Sequence, residues 1–459
     1  MSYKKSFSFV QPARCWVALL IAFWLVASLS SITSRPPLPV AAQNEPDPTE
    51  IWDMAEIKNP LTLNAAVVAG PTRARINRVS MEVIEVTFDS IDVGQGPIRI
   101  HGFVAIPTGH APGTLPALVY GHGAGDQADE EVAKTLAAML KAVTISFSGP
   151  GQGRSTGAPS QWRNWLNTIP DIRRSWLYQY AYSAMRAVTY LTTLPAVNRQ
   201  KIGMTGISAG GLMTWIANGV DDRLAAAYPI MATGDFRRSL EAGSWVSLLM
   251  SETGLTPESP PVLAFERYLD PIHYVGRQHA PVMLINGAQD EFFPITTTRS
   301  TYEATRAPEK RLEIIYDWDH GYYADSSRRY DTYNNVVNAS KRILGNAQAW
   351  FDWHLRDGQP LPPDPQLSVR QQGNETVFIV PGALVAGARR VQLIYSRDRA
   401  YTFEREPMRR QSDGSYTVSL TGDTSRLVYY VEAEYPGSVY VSSLPEFPPG
   451  FVPRIRPPQ

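Results

Sequence analysis

The chain has 459 residues, 44% of them hydrophobic, enough to build a substantial core as two domains or as one large domain with an appendage. Its 43 Lys and Arg balance 43 Asp and Glu, which argues against a nucleic-acid binder, because neutralising a phosphate backbone takes a basic excess or stripe. The single cysteine, Cys15, lies in an N-terminal apolar run, so the body beyond that run has no disulfide, thiolate nucleophile or cysteine metal site.

Lys4, Lys5 and Arg14 precede an apolar stretch from Cys15 to Leu29, and no charged residue falls between Arg14 and Arg35. A positive n-region followed by an apolar h-region is the layout of a secretory signal, with cleavage expected after Ser30 or Ala42. Left uncleaved, the same stretch would anchor the chain in a membrane with its body outside the cytoplasm. Both readings export the body. Residues 1–42 are therefore read as signal or anchor plus a Pro-rich linker, and 43–79 as an N-terminal extension.

From residue 80 the pattern is that of a catalytic domain reaching residue 357. Val79 to Pro107 reads as strands, with Gly94-Gln95-Gly96-Pro97 as their turn. A strand–helix rhythm follows. Strands are expected at Ala117–Tyr120, Ala142–Phe147, Lys201–Thr205, Ala225–Met231, Pro281–Ile285 and Leu312–Tyr316. Helices are expected over about 129–141, along the Trp176-Tyr180-Ala184-Val188-Leu191 face, from Ser208 onward, and over 340–355. Such alternation predicts an α/β fold, a doubly wound and mostly parallel sheet covered on both faces. Residues 234–277 break the rhythm and read as a cap over the sheet's carboxyl edge. After the Pro-rich stretch at 359–365, five short strands and no convincing helix predict a small C-terminal all-β, sandwich-like domain over 358–459.

The chemistry centres on Gly206-Ile207-Ser208-Ala209-Gly210, which follows an expected strand and opens an expected helix. In that context G-x-S-x-G is the nucleophile elbow of α/β hydrolases, with small residues letting the backbones pass in a cramped turn. Ser208 is the expected nucleophile, and the Ala209 N–H one oxyanion donor. A serine hydroxyl needs a base. His320, in the loop after the Leu312–Tyr316 strand, is the expected one, whereas His354 lies in the last helix among tryptophans. Asp290, leaving the carboxyl end of the Pro281–Ile285 strand, is the expected acid, with Asp235 as its rival. Asp317 and Asp319 read as loop charges or caps. Gly121-His122-Gly123-Ala124-Gly125 should supply the second oxyanion donor, at Ala124. His122 has no second ligand at metal spacing, so it reads as a loop-shaping residue, and neither a metal nor an organic cofactor is expected.

These segments, with Leu115-Pro116-Ala117-Leu118-Val119 and Gly149-Pro150-Gly151-Gln152-Gly153-Arg154-Ser155, resemble acetyl xylan esterases and the catalytic domain of prolyl oligopeptidases. Asn286-Gly287-Ala288-Gln289-Asp290-Glu291-Phe292-Phe293-Pro294 and the β-rich tail resemble PhoPQ-activated pathogenicity-related proteins. The resemblance covers roughly residues 80 to 355 well and the tail loosely. It implies an α/β-hydrolase fold with Ser208, Asp290 and His320 as the triad. The chain has no room for a propeller ahead of residue 80, which favours an esterase over an oligopeptidase. An exported hydrolase of small-molecule or carbohydrate esters is thus the leading expectation. A related peptidase and a surface binding protein with a vestigial site are the alternatives, and the oligomeric state stays open.

Overall fold

The computed structural model describes residues 47–320 and 332–456. The expected export segment, residues 1–42, lies outside the described residues. Among those described, no helix is long and apolar enough to cross a membrane.

The strands in chain order begin with β1 (Ala66–Ile76), β2 (Val79–Asp92), β3 (Pro97–Pro107), β4 (Leu115–Gly121) and β5 (Val143–Phe147). Then come β6 (Val197–Ile207), β7 (Leu224–Ile230), β8 (Val282–Gly287) and β9 (Lys310–Ile315). Together they form a nine-stranded sheet in the order β1-β2-β3-β5-β4-β6-β7-β8-β9. β1, β2, β3 and β5 pair antiparallel, and the run from β5 to β9 is parallel. The parallel strands are buried on both faces, and β5 has no exposed residue at all; that is why these strands read as short apolar runs rather than as alternating ones.

The helices that cover this sheet begin with α1 (Met54–Ile57), α2 (Glu130–Leu140), α3 (Trp162–Trp165), α4 (Trp176–Thr193) and α5 (Ala209–Val220). α6 (Phe236–Glu241), α7 (Trp245–Ser251) and α8 (Pro260–Leu269) make up the 234–277 insertion, which lies between β7 and β8. α9 (Ile295–Ala304) and α10 (Thr332–Arg356) complete the set among the described residues. α2 has a capped N-terminus: Asp129 accepts hydrogen bonds from the N–H groups of Glu131 and Val132. α4 is buried along nearly its whole length, with Trp176 stacked on Trp165 at 5.0 Å.

The segment read as an N-terminal extension packs, from residue 47 on, against the rest of the chain. Trp52 stacks on Tyr178 with ring centroids 4.2 Å apart and donates its indole N–H to the Tyr274 hydroxyl at 3.1 Å. The buried Arg186 guanidinium donates to the carbonyls of Glu56 at 2.8 Å and Asn59 at 2.7 Å. β1, which also falls in this segment, pairs with β2 through a tight turn whose two residues, Asn77 and Arg78, both have positive φ.

The C-terminal region holds β10 (Ser368–Gln372), β11 (Glu375–Val380), β12 (Arg390–Ser396) and β13 (Glu404–Pro407). It continues with β14 (Arg409–Arg410), β15 (Tyr416–Thr421), β16 (Val428–Tyr435) and β17 (Val439–Ser442). Two antiparallel sheets, β10-β11-β15-β14 and β13-β12-β16-β17, share a core that includes Phe378, Leu393, Leu420 and Val431. One 3₁₀ turn, Gly382–Val385, interrupts the strands. The second sheet has apolar residues on both faces. Leu393, Tyr395, Val431 and Ala433 enter the sandwich, while Ile394, Val428 and Tyr430 join Leu284, Leu312 and Ile314 of the nine-stranded sheet. At that junction the fully buried Arg342 of α10 donates its Nε–H to Glu313 of β9 at 2.8 Å and bonds Glu432 of β16 through Nη2.

Candidate active site

Ser208 occupies the turn between β6 and α5 with φ +56° and ψ −114°, a backbone region that costs a non-glycine residue free energy and is held only where surrounding structure enforces it. The neighbours show the enforcement. A Cβ at Gly206 would lie 2.5 Å from the Gly210 carbonyl carbon, and one at Gly210 only 2.2 Å from the Gly121 oxygen. The Ser208 N–H is tied to the Ile230 carbonyl at 2.9 Å. The glycines of the motif are thus steric requirements of the turn.

Two loops at the carboxyl end of the sheet bring the partners. Asp290 lies just beyond β8, and its Oδ1 accepts the N–H groups of Phe292 at 2.9 Å and Phe293 at 2.8 Å. Its other oxygen, Oδ2, meets His320 Nδ1 at 2.8 Å. His320 lies beyond β9, and its Nε2 meets Ser208 Oγ at 2.8 Å. The two loops are joined directly, since the Gln289 N–H donates to the Trp318 carbonyl at 3.2 Å. Asn286 braces the acid loop from below by donating to the Phe293 carbonyl and the Thr298 hydroxyl, both at 2.8 Å. Phe292 and Phe293 flank the imidazole with centroids 4.6 and 5.5 Å away.

This setting determines the protonation of His320. Burial is the largest influence and opposes the imidazolium, but the charge and hydrogen bond of Asp290, followed by Glu291 and Asp319, outweigh it. The net shift is upward from 6.5. Glu291 is also buried, and its Oε2 accepts the His320 backbone N–H at 3.0 Å. Burial, and then the charge of Asp319, push the Glu291 carboxyl up to about 8.

The loop after β4 is organised by His122. Its Nε2 accepts the Gly149 N–H at 2.8 Å, which leaves the proton on Nδ1 to donate to the Gly123 carbonyl at 2.6 Å. Burial holds this imidazole below its usual pKa, in the neutral form that this double role needs. The Asp126 N–H donates to the same Gly123 oxygen. In a trans peptide the carbonyl and the following N–H point in opposite directions. The Ala124 N–H therefore faces away from His122. Gly123 itself runs beside Ser208, with its Cβ position 3.8 Å from Ser208 Cβ. The Ala209 N–H is the first of α5 and has no intrahelical acceptor.

A family model described as acetyl xylan esterase (AXE1) matches residues 39–333, a span that contains Ser208, Asp290 and His320. The chain belongs to the acetyl xylan esterase family. Acetyl esterase Axe7A of Xylanibacter ruminicola is 27% identical over 146 residues, which cover 31% of this chain and 33% of that protein. Autocrine proliferation repressor protein A of Dictyostelium discoideum is 26% identical over 215 residues, covering 44% of this chain and 43% of that one. The chain thus spans less than half the length of either curated relative. Among solved structures, an acetyl xylan esterase from a Paenibacillus species aligns with TM-score 0.52 and 23% identity, over 66% of this chain and 96% of its own. Acetyl xylan esterase 1 from a Thermoanaerobacterium species aligns with TM-score 0.51 and 16% identity, over 65% and 93%. Both share the α/β-hydrolase fold.

In this acetyl xylan esterase family member the expected triad residues meet, and the expected rival acid does not join them. Asp235 has φ +66° and pairs with Arg238 at 2.8 Å instead. Asp319, expected as a loop charge, is buried, with a carboxylate oxygen 3.7 Å from an Arg456 nitrogen. The 234–277 insertion reaches the site through α7, where the Trp245 N–H donates to the Glu291 carbonyl at 2.9 Å and the indole ring packs on Phe292 at 5.5 Å. A cavity of about 620 Å³, lined by Gln95, Thr156, Asn167 and Arg174 among others, includes none of the three triad residues. Among the described residues, no group of three or more His, Cys, Asp or Glu is arranged to hold a metal ion.

Proposed function

We propose that this protein is an exported carboxylic ester hydrolase that removes acetyl groups from carbohydrate through an acyl-enzyme on Ser208. The observation that carries the reading is the unbroken chain of two 2.8 Å contacts from Ser208 Oγ through the His320 ring to Asp290 Oδ2. Membership of the acetyl xylan esterase family supports the substrate class. The charge and apolar pattern of residues 1–42 supports export.

In this reading, His320 Nε2 takes the hydroxyl proton as Ser208 Oγ attacks the acetyl carbonyl carbon. The carbonyl π electrons move to oxygen, where the N–H groups of Ala209 and Ala124 stabilise the negative charge. Collapse breaks the bond to the sugar oxygen, which takes the proton from His320. Water, deprotonated by the same imidazole, then attacks the acetyl-serine carbonyl, and collapse breaks the bond to Ser208 Oγ, which takes the proton back from His320 as acetate leaves. Asp290 keeps the Nδ1 proton in place and stabilises the imidazolium in both halves of the cycle.

The base must be neutral to act, and the folded protein raises its pKa. kcat/KM should therefore fall as pH drops through a midpoint above 6.5, with a single-proton slope, in an initial-rate pH profile on p-nitrophenyl acetate. The reading itself is tested by incubating the protein with a fluorophosphonate probe, mapping the modified peptide, and measuring acetate release from acetylated xylo-oligosaccharides. Modification of Ser208 together with acetate release is the expected result. Absence of labelling, or aminoacyl nitroanilides cleaved at least tenfold faster than acetyl esters, would overturn it.

A further inference from the structure

The C-terminal segment beyond β17 turns back to the catalytic loops. The Arg454 N–H donates to the Arg399 carbonyl at 2.8 Å, and the Arg399 side chain donates to the Val452 carbonyl at 2.9 Å, so the segment is held against the turn that follows β12. Arg456 is anchored to the insertion, because its carbonyl accepts the Trp245 indole N–H at 2.6 Å. The Arg456 side chain is buried, packs over the Tyr401 ring at 5.4 Å and extends to Asp319, the residue immediately before His320. On the opposite side, Gln289, which precedes Asp290, donates to the Tyr401 carbonyl at 2.9 Å. Trp245, fastened by the segment, in turn donates its backbone N–H to Glu291.

We propose that Arg456 is a positioning residue for the catalytic histidine, and that the C-terminal segment Phe451–Arg456 is a working part of the active site. The inference rests on the proposed role of His320. Electrostatics and geometry act together in it. His320 is faced by Asp290 and Glu291 from the acid loop and by Asp319 on its own loop. Asp317, one step further back, feels Arg405 of β13 and Arg456. Among the described residues, Ser208, Phe292 and Phe293 also face the imidazole and carry no charge at neutral pH. Arg456 brings a buried cation to this group of carboxyls, which limits how strongly they favour the imidazolium and holds the Asp319 carboxylate, and with it the His320 backbone, in register. A fixed charge in a desolvated site acts strongly on its neighbours, and a displacement of about 1 Å at a general base can cost on the order of a hundredfold in rate.

The test compares the full-length wild type with Arg456→Met and Arg456→Lys. The first readout is the low-field proton NMR resonance of the His320 Nδ1–H, followed against pH. It needs no substrate and so is independent of the ester reading. Arg456→Met should move the His320 midpoint upward by at least about 0.5 pH unit, since a compensating cation has been removed. It should also lower kcat on p-nitrophenyl acetate by about 10- to 100-fold with KM nearly unchanged. Arg456→Lys should return the midpoint most of the way. Thermal unfolding run in parallel identifies a purely structural role: a lower melting temperature with an unshifted His320 midpoint overturns the proposal, as does a variant indistinguishable from wild type. A wild type that titrates as expected but neither hydrolyses esters nor reacts with fluorophosphonate defeats the reading of the site and leaves the positioning result standing on the NMR midpoint alone.

Discussion

Ser208→Ala is expected to lower kcat on acetyl esters by about a millionfold, leaving only the slow background that a binding site and its oxyanion donors sustain. The hydroxyl lies 2.8 Å from His320 Nε2, and with it removed the imidazole has no nucleophile to activate. Alanine also fits the turn, because only Oγ is lost and the strained backbone already accommodates a Cβ. Folding should therefore be unchanged by circular dichroism and melting temperature, which separates chemistry from stability. His320→Ala should cost nearly as much, and the double variant little more than either single one, because the two groups act as a unit. Asp290→Asn is a graded probe: it keeps the shape but favours the wrong imidazole tautomer, and about a ten-thousandfold loss is expected. Steady-state rates on p-nitrophenyl acetate measure all four. If Ser208→Ala retained more than about one per cent of wild-type kcat, the nucleophile would lie elsewhere.

Arg342→Ala is expected to destabilise the protein by about 3–5 kcal/mol, measured by urea unfolding. Arg342 is fully buried between Glu313 and Glu432, bonds both, and lies with its guanidinium 4.2 Å from the Tyr440 ring centroid. Burial pushes the Glu313 carboxyl upward even with the arginine present. Removal of the cation would leave two buried carboxyls facing each other without compensation, which they can escape only by protonation or by opening the interface. Replacing all three residues together, as Arg342→Met, Glu313→Leu and Glu432→Leu, should cost much less than the single change, because no buried charge is then left unpaired. A single-variant cost under about 1 kcal/mol would mean that the contact between α10, β9 and β16 opens to water readily. The same substitution should also lower kcat, since β9 runs directly into the loop that carries His320.

The parts of this molecule that were legible in its sequence are those in which local chemistry and local structure coincide. β5 and β8 are buried on both faces and read as apolar runs. The elbow at Ser208 is legible because its glycines are required by contacts within a few residues and with one neighbouring loop. β1 was not legible, because most of its residues are exposed and it has no apolar face to announce it. α9 was hidden by a Thr-rich sequence of low helix propensity, in which the Thr297 hydroxyl bonds back to the Pro294 carbonyl at 2.8 Å. Asp290 and His320, which the structure brings together with Ser208, could be singled out from their places after strands. Glu291, Trp245 and Arg456 could not, since nothing near them in the chain signals that three distant segments converge behind one imidazole.

The outer strands of the main sheet differ in how they are finished. β1 at one margin carries register shifts around Val67, Ala69 and Thr72, together with the cations Arg73 and Arg75, which make a poor template for another chain. β9 at the other margin is occupied: the Ile314 N–H donates to the Ser442 hydroxyl of β17 at 3.0 Å, and Leu312 and Ile314 pack under Val428 and Tyr430. The β-rich tail therefore also covers the apolar margin of the main sheet. A proteolytic nick that released it would bare an unpaired, apolar rim open to intermolecular strand addition.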